Sequence, residues 1–258
     1  MVNAAEHVVF RSDARQHGTA IVQGCGTPNC VRCGVQHGKS AMSFGSPVMG
    51  SGSQPSGRPL KVLDLGAGFG RHAIPLARMG HSVVAVDSSH KLVGLLANLA
   101  TGLNVEVVLA DMADYVQAID AEWDLVLCLG DTLTHLPSQE EAEGFLSRIC
   151  SLLAPAGRCV LSFRDYTIPL EGERRFILVR SDRDRILTCI LGYEPEHVLV
   201  HDLLYDRRGD GFQQTVSWYR KLRLEPSWVV KRCEGVGRSV HTEAGDGGMV
   251  RVIVDRAR

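Results

Sequence analysis

The chain has 258 residues, 45% of them apolar, with 28 Lys plus Arg against 29 Asp plus Glu and a net charge of −1. That composition suits a soluble domain with a substantial core plus a tail, and no apolar run approaches the roughly eighteen residues of a membrane span. Without a basic excess there is no electrostatic footing for nucleic acid.

Residues 1–58 are rich in Gly and Ser, and Gly50-Ser51-Gly52-Ser53-Gln54-Pro55-Ser56-Gly57 reads as a flexible linker. The expectation is a weakly ordered N-terminal segment followed by one folded domain over 59–258. Cys25, Cys30, Cys33 and His37 have the residue types of a tetrahedral zinc site. They are not spaced as two knuckles, so the expectation is no bound metal and a lid or plain tail. The other cysteines, Cys128, Cys150, Cys159, Cys189 and Cys233, sit in apolar runs and read as small buried hydrophobes. With no secretory signal, a reducing, cytoplasmic setting is expected.

Residues 62–70, Val-Leu-Asp-Leu-Gly-Ala-Gly-Phe-Gly, carry the most information. A short apolar run ends at Asp64 and passes into Gly66, Gly68 and Gly70, the pattern of a buried strand turning tightly into a helix. Glycine permits positive φ and close ligand approach to the backbone. Gly70 is followed by Arg71 and His72, not the Lys and Ser or Thr of a P-loop. A dinucleotide fingerprint fails too, because its third glycine position holds Arg71. Asp64 would repel a pyrophosphate and suits an ammonium or sulfonium group. Downstream, Asp87 closes a second apolar run about twenty residues on, where an acid commonly holds ribose hydroxyls. A third run ends in Asp111-Met112, able to address an adenine amino group and ring face. A fourth, from Trp123 to Leu129, precedes Gly130-Asp131.

Periodicity predicts strands at 60–65, 82–87, 105–110, 123–129 and 157–164, and helices at 69–79, 89–101, 112–119 and 139–153. Ser138 stands three residues before Glu141, a capping-box start for the last helix. Alternation of this kind implies a parallel sheet with helices on both faces. Beyond residue 166, extended runs at 176–179, 186–191, 197–204 and 213–224 are separated by turn residues. A helix at 226–234 and a hairpin with strands at 238–242 and 248–255 complete the chain.

This ordered set of motifs resembles the class I S-adenosylmethionine-dependent methyltransferases over residues 58–166, and the C-terminal third in outline. The resemblance implies a Rossmann-like, doubly wound, mostly parallel seven-stranded α/β sheet. An antiparallel β insertion at about 173–224, after strand five, resembles that of small-molecule enzymes of the glycine N-methyltransferase type. It implies S-adenosyl-L-methionine as cofactor, with Asp64, Gly66, Ala67, Gly68 and Gly70 at its methionyl end. Asp87 and Ser88 would serve the ribose, Asp111 and Met112 the adenine, and Cys128 and Leu129 the fourth strand end. The acceptor side is expected in Leu129-Gly130-Asp131-Thr132-Leu133-Thr134-His135, which lacks an Asn-Pro-Pro-Tyr motif. There His135, Asp131 and Tyr219 are the candidate catalytic groups, and Thr132, Arg164, Tyr166 and His201 the candidate substrate contacts. His135 reads equally as a base or as a hydrogen-bonding histidine, and Arg164 equally as a carboxylate clamp or as one half of an ion pair. The expected reaction is in-line methyl transfer to a small-molecule nitrogen, oxygen, sulfur or metalloid, with no nucleic-acid or membrane partner. The alternatives are a cofactor-binding regulatory subunit and an RNA or protein methyltransferase. The oligomeric state is not specified by the sequence.

Overall fold

A computed structural model describes residues 57–256 and, ahead of them, two antiparallel two-residue strands, β1 (Asn29–Cys30) and β2 (Val35–Gln36). The linker before Gly57, Cys25, Cys33, His37 and the side chain of Cys30 lie outside the described residues. From residue 60 the order is β3 (Lys61–Leu65), α1 (Ala73–Arg78), β4 (Ser82–Asp87), α2 (His90–Leu99), β5 (Val105–Leu109), α3 (Met112–Ala118), β6 (Trp123–Cys128), α4 (Gln139–Ser151) and β7 (Leu153–Arg164). Then follow β8 (Phe176–Ser181), β9 (Arg185–Tyr193), β10 (His197–Arg208), β11 (Gly211–Leu222), α5 (Pro226–Gly235), β12 (Arg238–Ala244) and β13 (Met249–Arg256).

Seven strands form one sheet in the order β12-β13-β7-β6-β3-β4-β5. The pairs β3–β4, β4–β5, β3–β6 and β6–β7 are parallel, while β13 runs antiparallel to both of its neighbours. This is the doubly wound, mostly parallel sheet expected from the sequence. Its strands are buried on both faces, which is why they read as continuous apolar runs. On one face Leu63, Leu65, Val126 and Leu161 pack against Phe145, Leu146 and Ile149 of α4 and Val229 of α5. On the other, Val62, Val83, Leu125 and Val160 meet Leu76 of α1 and Leu96 of α2. No helix among the described residues is long and apolar enough to cross a membrane.

Helix starts follow local chemistry. Ser138 Oγ accepts from the Glu141 N–H at 3.1 Å and opens α4 as the capping-box spacing implies. Asp111 Oδ1 accepts from Ala113 N at 2.8 Å and opens α3. Helix α1 departs from the expected 69–79. It begins only at Ala73, because three glycines hold the preceding loop at positive φ. Strand β7 likewise starts earlier than 157, since Leu153 already pairs with Trp123 ahead of a register shift.

The four runs after residue 166 form a separate antiparallel sheet, β11-β10-β9-β8. Its inner face, with Val179, Cys189, Leu191, Val198 and Val200, packs on Tyr166 in a small core of its own. Arg223, just past β11, staples this sheet to the segment leaving β7. Its guanidinium donates to the carbonyls of Tyr166 at 3.0 Å, Thr167 at 2.9 Å and Glu194 at 2.7 Å. Buried carbonyls left without a donor carry a desolvation penalty, so Arg223→Ala is expected to remove about 2 kcal/mol and lower Tm by roughly 5 °C. Thermal unfolding followed by circular dichroism measures this, and an unchanged Tm would refute the staple.

Candidate active site

The carboxyl ends of β3, β4, β5 and β6 lie side by side, since these strands are consecutive parallel neighbours. Ligands of open α/β sheets bind outside such an edge, where the strand order reverses. Here the reversal falls between β3 and β6, at the glycine loop.

That loop is anchored on β4. Gly66 N and Ala67 N both donate to Val86 O, at 2.8 and 3.0 Å. Gly66 has φ +72°, and a Cβ placed there would lie 2.3 Å from Thr132 Cγ2. Glycine is therefore required twice over, by conformation and by the close approach of the loop after β6. Gly68 has φ +59°, yet a Cβ there would meet nothing within 4 Å. Its open side is room for a ligand against bare backbone. Gly66→Ala is expected to weaken cofactor binding at least tenfold and to destabilise the fold by about 1–3 kcal/mol. Isothermal titration and chemical denaturation would measure the two effects, and a wild-type value in both would remove the loop from the site.

Asp64 is 1% exposed. Its Oδ2 is a buried oxygen with no hydrogen-bond partner. Burial pushes the Asp64 carboxyl up to about 7, against a backbone N–H from Ala73 that pulls it down. A buried, unsatisfied carboxylate carries a penalty that a cationic ligand would relieve. Asp87 is tied into the same loop: Oδ2 accepts from Gly68 N at 2.8 Å and Oδ1 from Ser89 N at 2.9 Å. Each oxygen retains acceptor capacity for a hydroxyl. Asp111 is exposed and caps α3 through Oδ1, while Met112, the first residue of that helix, is half-buried against the core. Ala67 is buried, Ser88 exposed, Cys128 fully buried and Leu129 half-buried. Burial, and then the nearby Asp64, raise the Cys128 thiol beyond reach of ionisation. Burial lowers His72, in the glycine loop, to about 4, so it is neutral at ordinary pH.

Across from this edge, the loop after β6 turns through Gly130 and Asp131, both at positive φ (+72° and +76°). A side-chain-bearing residue rarely adopts that conformation, and here hydrogen bonds hold it. Asp131 is 1% exposed and sits at the centre of a polar cluster. Its Oδ1 accepts from Arg164 N at 2.9 Å, and its Oδ2 accepts from Tyr166 Oη at 2.7 Å and from Lys221 Nζ. The Arg164 guanidinium lies 3.3 Å from Oδ2. Burial alone would raise this carboxyl. The Lys221 ammonium, with the N–H and guanidinium of Arg164, outweighs burial and holds it far below the usual carboxylate range. Thr132 donates to Leu129 O, tightening the turn. His135 is exposed at the end of the 3-10 turn Thr132–His135, and its ring lies 5.5 Å from that of half-buried Tyr219, tilted by 31°. The antiparallel sheet thus closes over the loop through β11.

Thr132, Asp131, His135, Arg164, Tyr166 and Tyr219 come together as a group. Arg164 pairs with Asp131, and the adjacent Asp165 carboxylate accepts from Thr167. His201 is a correction. In the register Val200 pairs with Tyr219 and Leu191, while His201 pairs with Trp218 and Ile190. Alternate strand residues point to opposite faces, so His201 lies on the outer face, away from Tyr219. Lys221 was missed altogether. It is 6% exposed and shares the inner face with Tyr219 two residues earlier. The only sequence signal was that alternation, hidden in the basic stretch Arg220-Lys221-Leu222-Arg223.

Residues 62–157 match the family model described as "Methyltransferase domain". Over those 96 residues the chain is similar to S-adenosylmethionine-dependent methyltransferases. The chain is 32% identical over 113 residues to a glycine/sarcosine N-methyltransferase of Aphanothece halophytica, covering 43% of each chain. It is 32% identical over 156 residues to a magnesium-protoporphyrin O-methyltransferase of Synechocystis sp., covering 58% of this chain and 63% of that protein. The match therefore spans less than two thirds of either relative. In fold, the crystal structure of an S-adenosylmethionine-dependent methyltransferase from Clostridium acetobutylicum superposes with TM-score 0.66 at 13% identity, over 77% of this chain and 84% of that one. The likeness in fold thus covers more of the chain than the 96-residue sequence match.

Proposed function

We propose that the protein transfers a methyl group from S-adenosyl-L-methionine to a small-molecule acceptor bound between the loop after β6 and the inner face of β11. The observation that carries the reading is the buried, unpartnered Asp64 oxygen beside a glycine loop with open space at Gly68. It matches the charge and shape of the methionyl end of this cofactor. Gly66, Ala67, Gly68 and Gly70 would cradle that end and Asp64 would hold its ammonium. Asp87 and Ser88 would take the ribose, Asp111 and Met112 the adenine, and Cys128 and Leu129 the floor beneath. When bound, the cofactor supplies a methyl group activated on a cationic sulfur.

The protein's own task is alignment and exclusion of water. Asp131 holds the loop after β6 in its turned conformation and fixes Arg164 and Tyr166 on one side and Lys221 on the other. An anion so strongly stabilised is a poor proton acceptor, so its role is positioning. His135, an exposed imidazole packed on Tyr219, would take a proton from the acceptor. Thr132 lies where the two loops meet and would contact the acceptor. The relatives named above act on an amino acid and a tetrapyrrole by their names, which supports a small-molecule acceptor. The five buried cysteines among the described residues are thiols outside any disulfide, which fits a reducing compartment such as the cytoplasm.

Titration calorimetry with S-adenosylmethionine, followed by a mass-shift screen for methylated products in cell extract, tests the proposal. Micromolar binding and an added 14 Da on a small molecule are expected (one methylene, as for any methylation). Absence of binding, with clear binding of a dinucleotide instead, would overturn it. His135→Gln is expected to lower kcat by about 10²–10⁴-fold and leave cofactor affinity unchanged if it removes the acceptor proton. An unaltered pH–rate profile in that variant would reduce it to a packing partner of Tyr219.

A further inference from the structure

The antiparallel sheet has a second face. Register and alternation assign it row by row: Trp218, His201, Ile190 and Phe176 form one row across all four strands, and Val216, Leu203, Thr188 and Leu178 the next. Gln214, Tyr205 and Ile186 continue it, and Phe212 closes the β11 column. This face should be the solvated side of a half-buried antiparallel sheet, where alternation normally places polar residues. Instead Phe176 is 54% exposed, Leu178 58%, Val216 56%, Trp218 47% and Phe212 45%. The large apolar residues stand on the two outer strands, β8 and β11, with half-buried side chains between them.

We infer that this face is the contact surface of a homodimer, with a second copy of the same chain as its partner. Strands about 4.8 Å apart and about 3.4 Å of rise per residue give the apolar rows a footprint of roughly 500 Å². That lies at the upper end of what a soluble monomer leaves open. With the surrounding turns it approaches the roughly 800 Å² per partner of a standard interface. The turns at one end of the sheet are charged and internally paired, Arg180 with Asp182, Arg185 with Asp206 and Arg207 with Asp184, and give the apolar rows a polar border on that side. The arrangement is also self-complementary. A two-fold axis parallel to the strands lays β8 of one copy over β11 of the other, so Phe176 and Leu178 meet Val216 and Trp218 twice, once on each side. Such an isologous contact closes at two copies. Two sheet faces pack about 10 Å apart with interdigitating side chains, which a second copy of the same four-stranded face satisfies.

The inference stands apart from the methyl-transfer reading, because none of these residues lines the glycine loop or the inner face of β11. Sedimentation velocity on the full chain between 0.5 and 50 μM tests it. The expected species is twice the 28.1 kDa chain mass, dissociating at the low end of that range. Leu178→Glu combined with Val216→Glu is expected to give a monomer. Its far-ultraviolet circular dichroism and cofactor affinity should match wild type, since both positions are exposed in a single copy. A monomer at every concentration would overturn the inference. So would a dimer that persists in the double variant, which would place the contact elsewhere. Protection of Trp218 from aqueous quenchers in a monomeric protein would also overturn it, by showing that the chain covers its own sheet.

Discussion

Asp131→Ala is expected to destabilise the protein by about 3–5 kcal/mol in chemical denaturation and to abolish methyl transfer. Removing the carboxylate strands the Lys221 ammonium, 8% exposed at its side chain, together with the Tyr166 hydroxyl in the same pocket. It also frees a loop whose positive φ at residue 131 those bonds maintain. The paired variant Asp131→Asn with Lys221→Met should recover part of the loss, because a buried ion pair replaced by well-fitted neutral groups is often tolerated. A double-mutant cycle gives the coupling. If Asp131→Ala loses less than 1 kcal/mol, the cluster is not what fastens the antiparallel sheet to the loop. The pH dependence follows from the sign of the shift. This carboxyl is depressed in the folded state, so its contribution is complete above the usual carboxylate range and is lost only as pH falls through strongly acid values.

Asp64→Asn is expected to raise the dissociation constant for S-adenosylmethionine about 30- to 150-fold, the loss of one charge-assisted hydrogen bond of about 2–3 kcal/mol. The wild-type protein should show a matching pH dependence. Asp64 ionises at about 7 without ligand, so a cation binding there must first displace a proton below that pH. Affinity should weaken up to tenfold per unit as pH falls from 7. Above about 8 it weakens again as the ligand's own α-amino group, with a pKa near 7.7–8.0, loses its proton. Calorimetry from pH 5.5 to 9 reads both limbs, and a flat acid limb would remove Asp64 from the ammonium site. In the ligand-free protein the elevated pKa acts in the opposite direction to that of Asp131. Ionised Asp64 disfavours folding, by an amount that begins near 3.8 and is complete above about 7. Asp64→Asn should therefore raise Tm at pH 8 and leave it unchanged near pH 4.

The glycine loop and the acid-ended sheet edge were legible in the sequence because each of their parts is local. A strand, its terminal acid and the following turn lie within ten residues, and the repeat at Asp64, Asp87 and Asp111 announces one sheet edge. Strand and helix placement followed for the same reason, failing mainly where glycine conformation delayed α1 and a register shift lengthened β7. The acceptor side was not legible in this way. Lys221 and Asp131 are 90 positions apart, and neither carries a local mark of the other. His201 and Tyr219 both look like polar residues on strands. Which of them faces inward depends on the pairing register of β10 with β11, and a one-residue shift reverses it.

The antiparallel sheet leaves the main fold after β7 and returns before α5, and the Asp131 cluster, Arg223 and the contact of His197 with the Pro137 carbonyl are among its fastenings. Substitutions within it can therefore accumulate while the adenosyl-facing loops stay as they are. The wall that β11 presents to the loop after β6 and the glycine loop after β3 thus lie on separate stretches of one polypeptide, so one can vary in sequence while the other keeps its geometry.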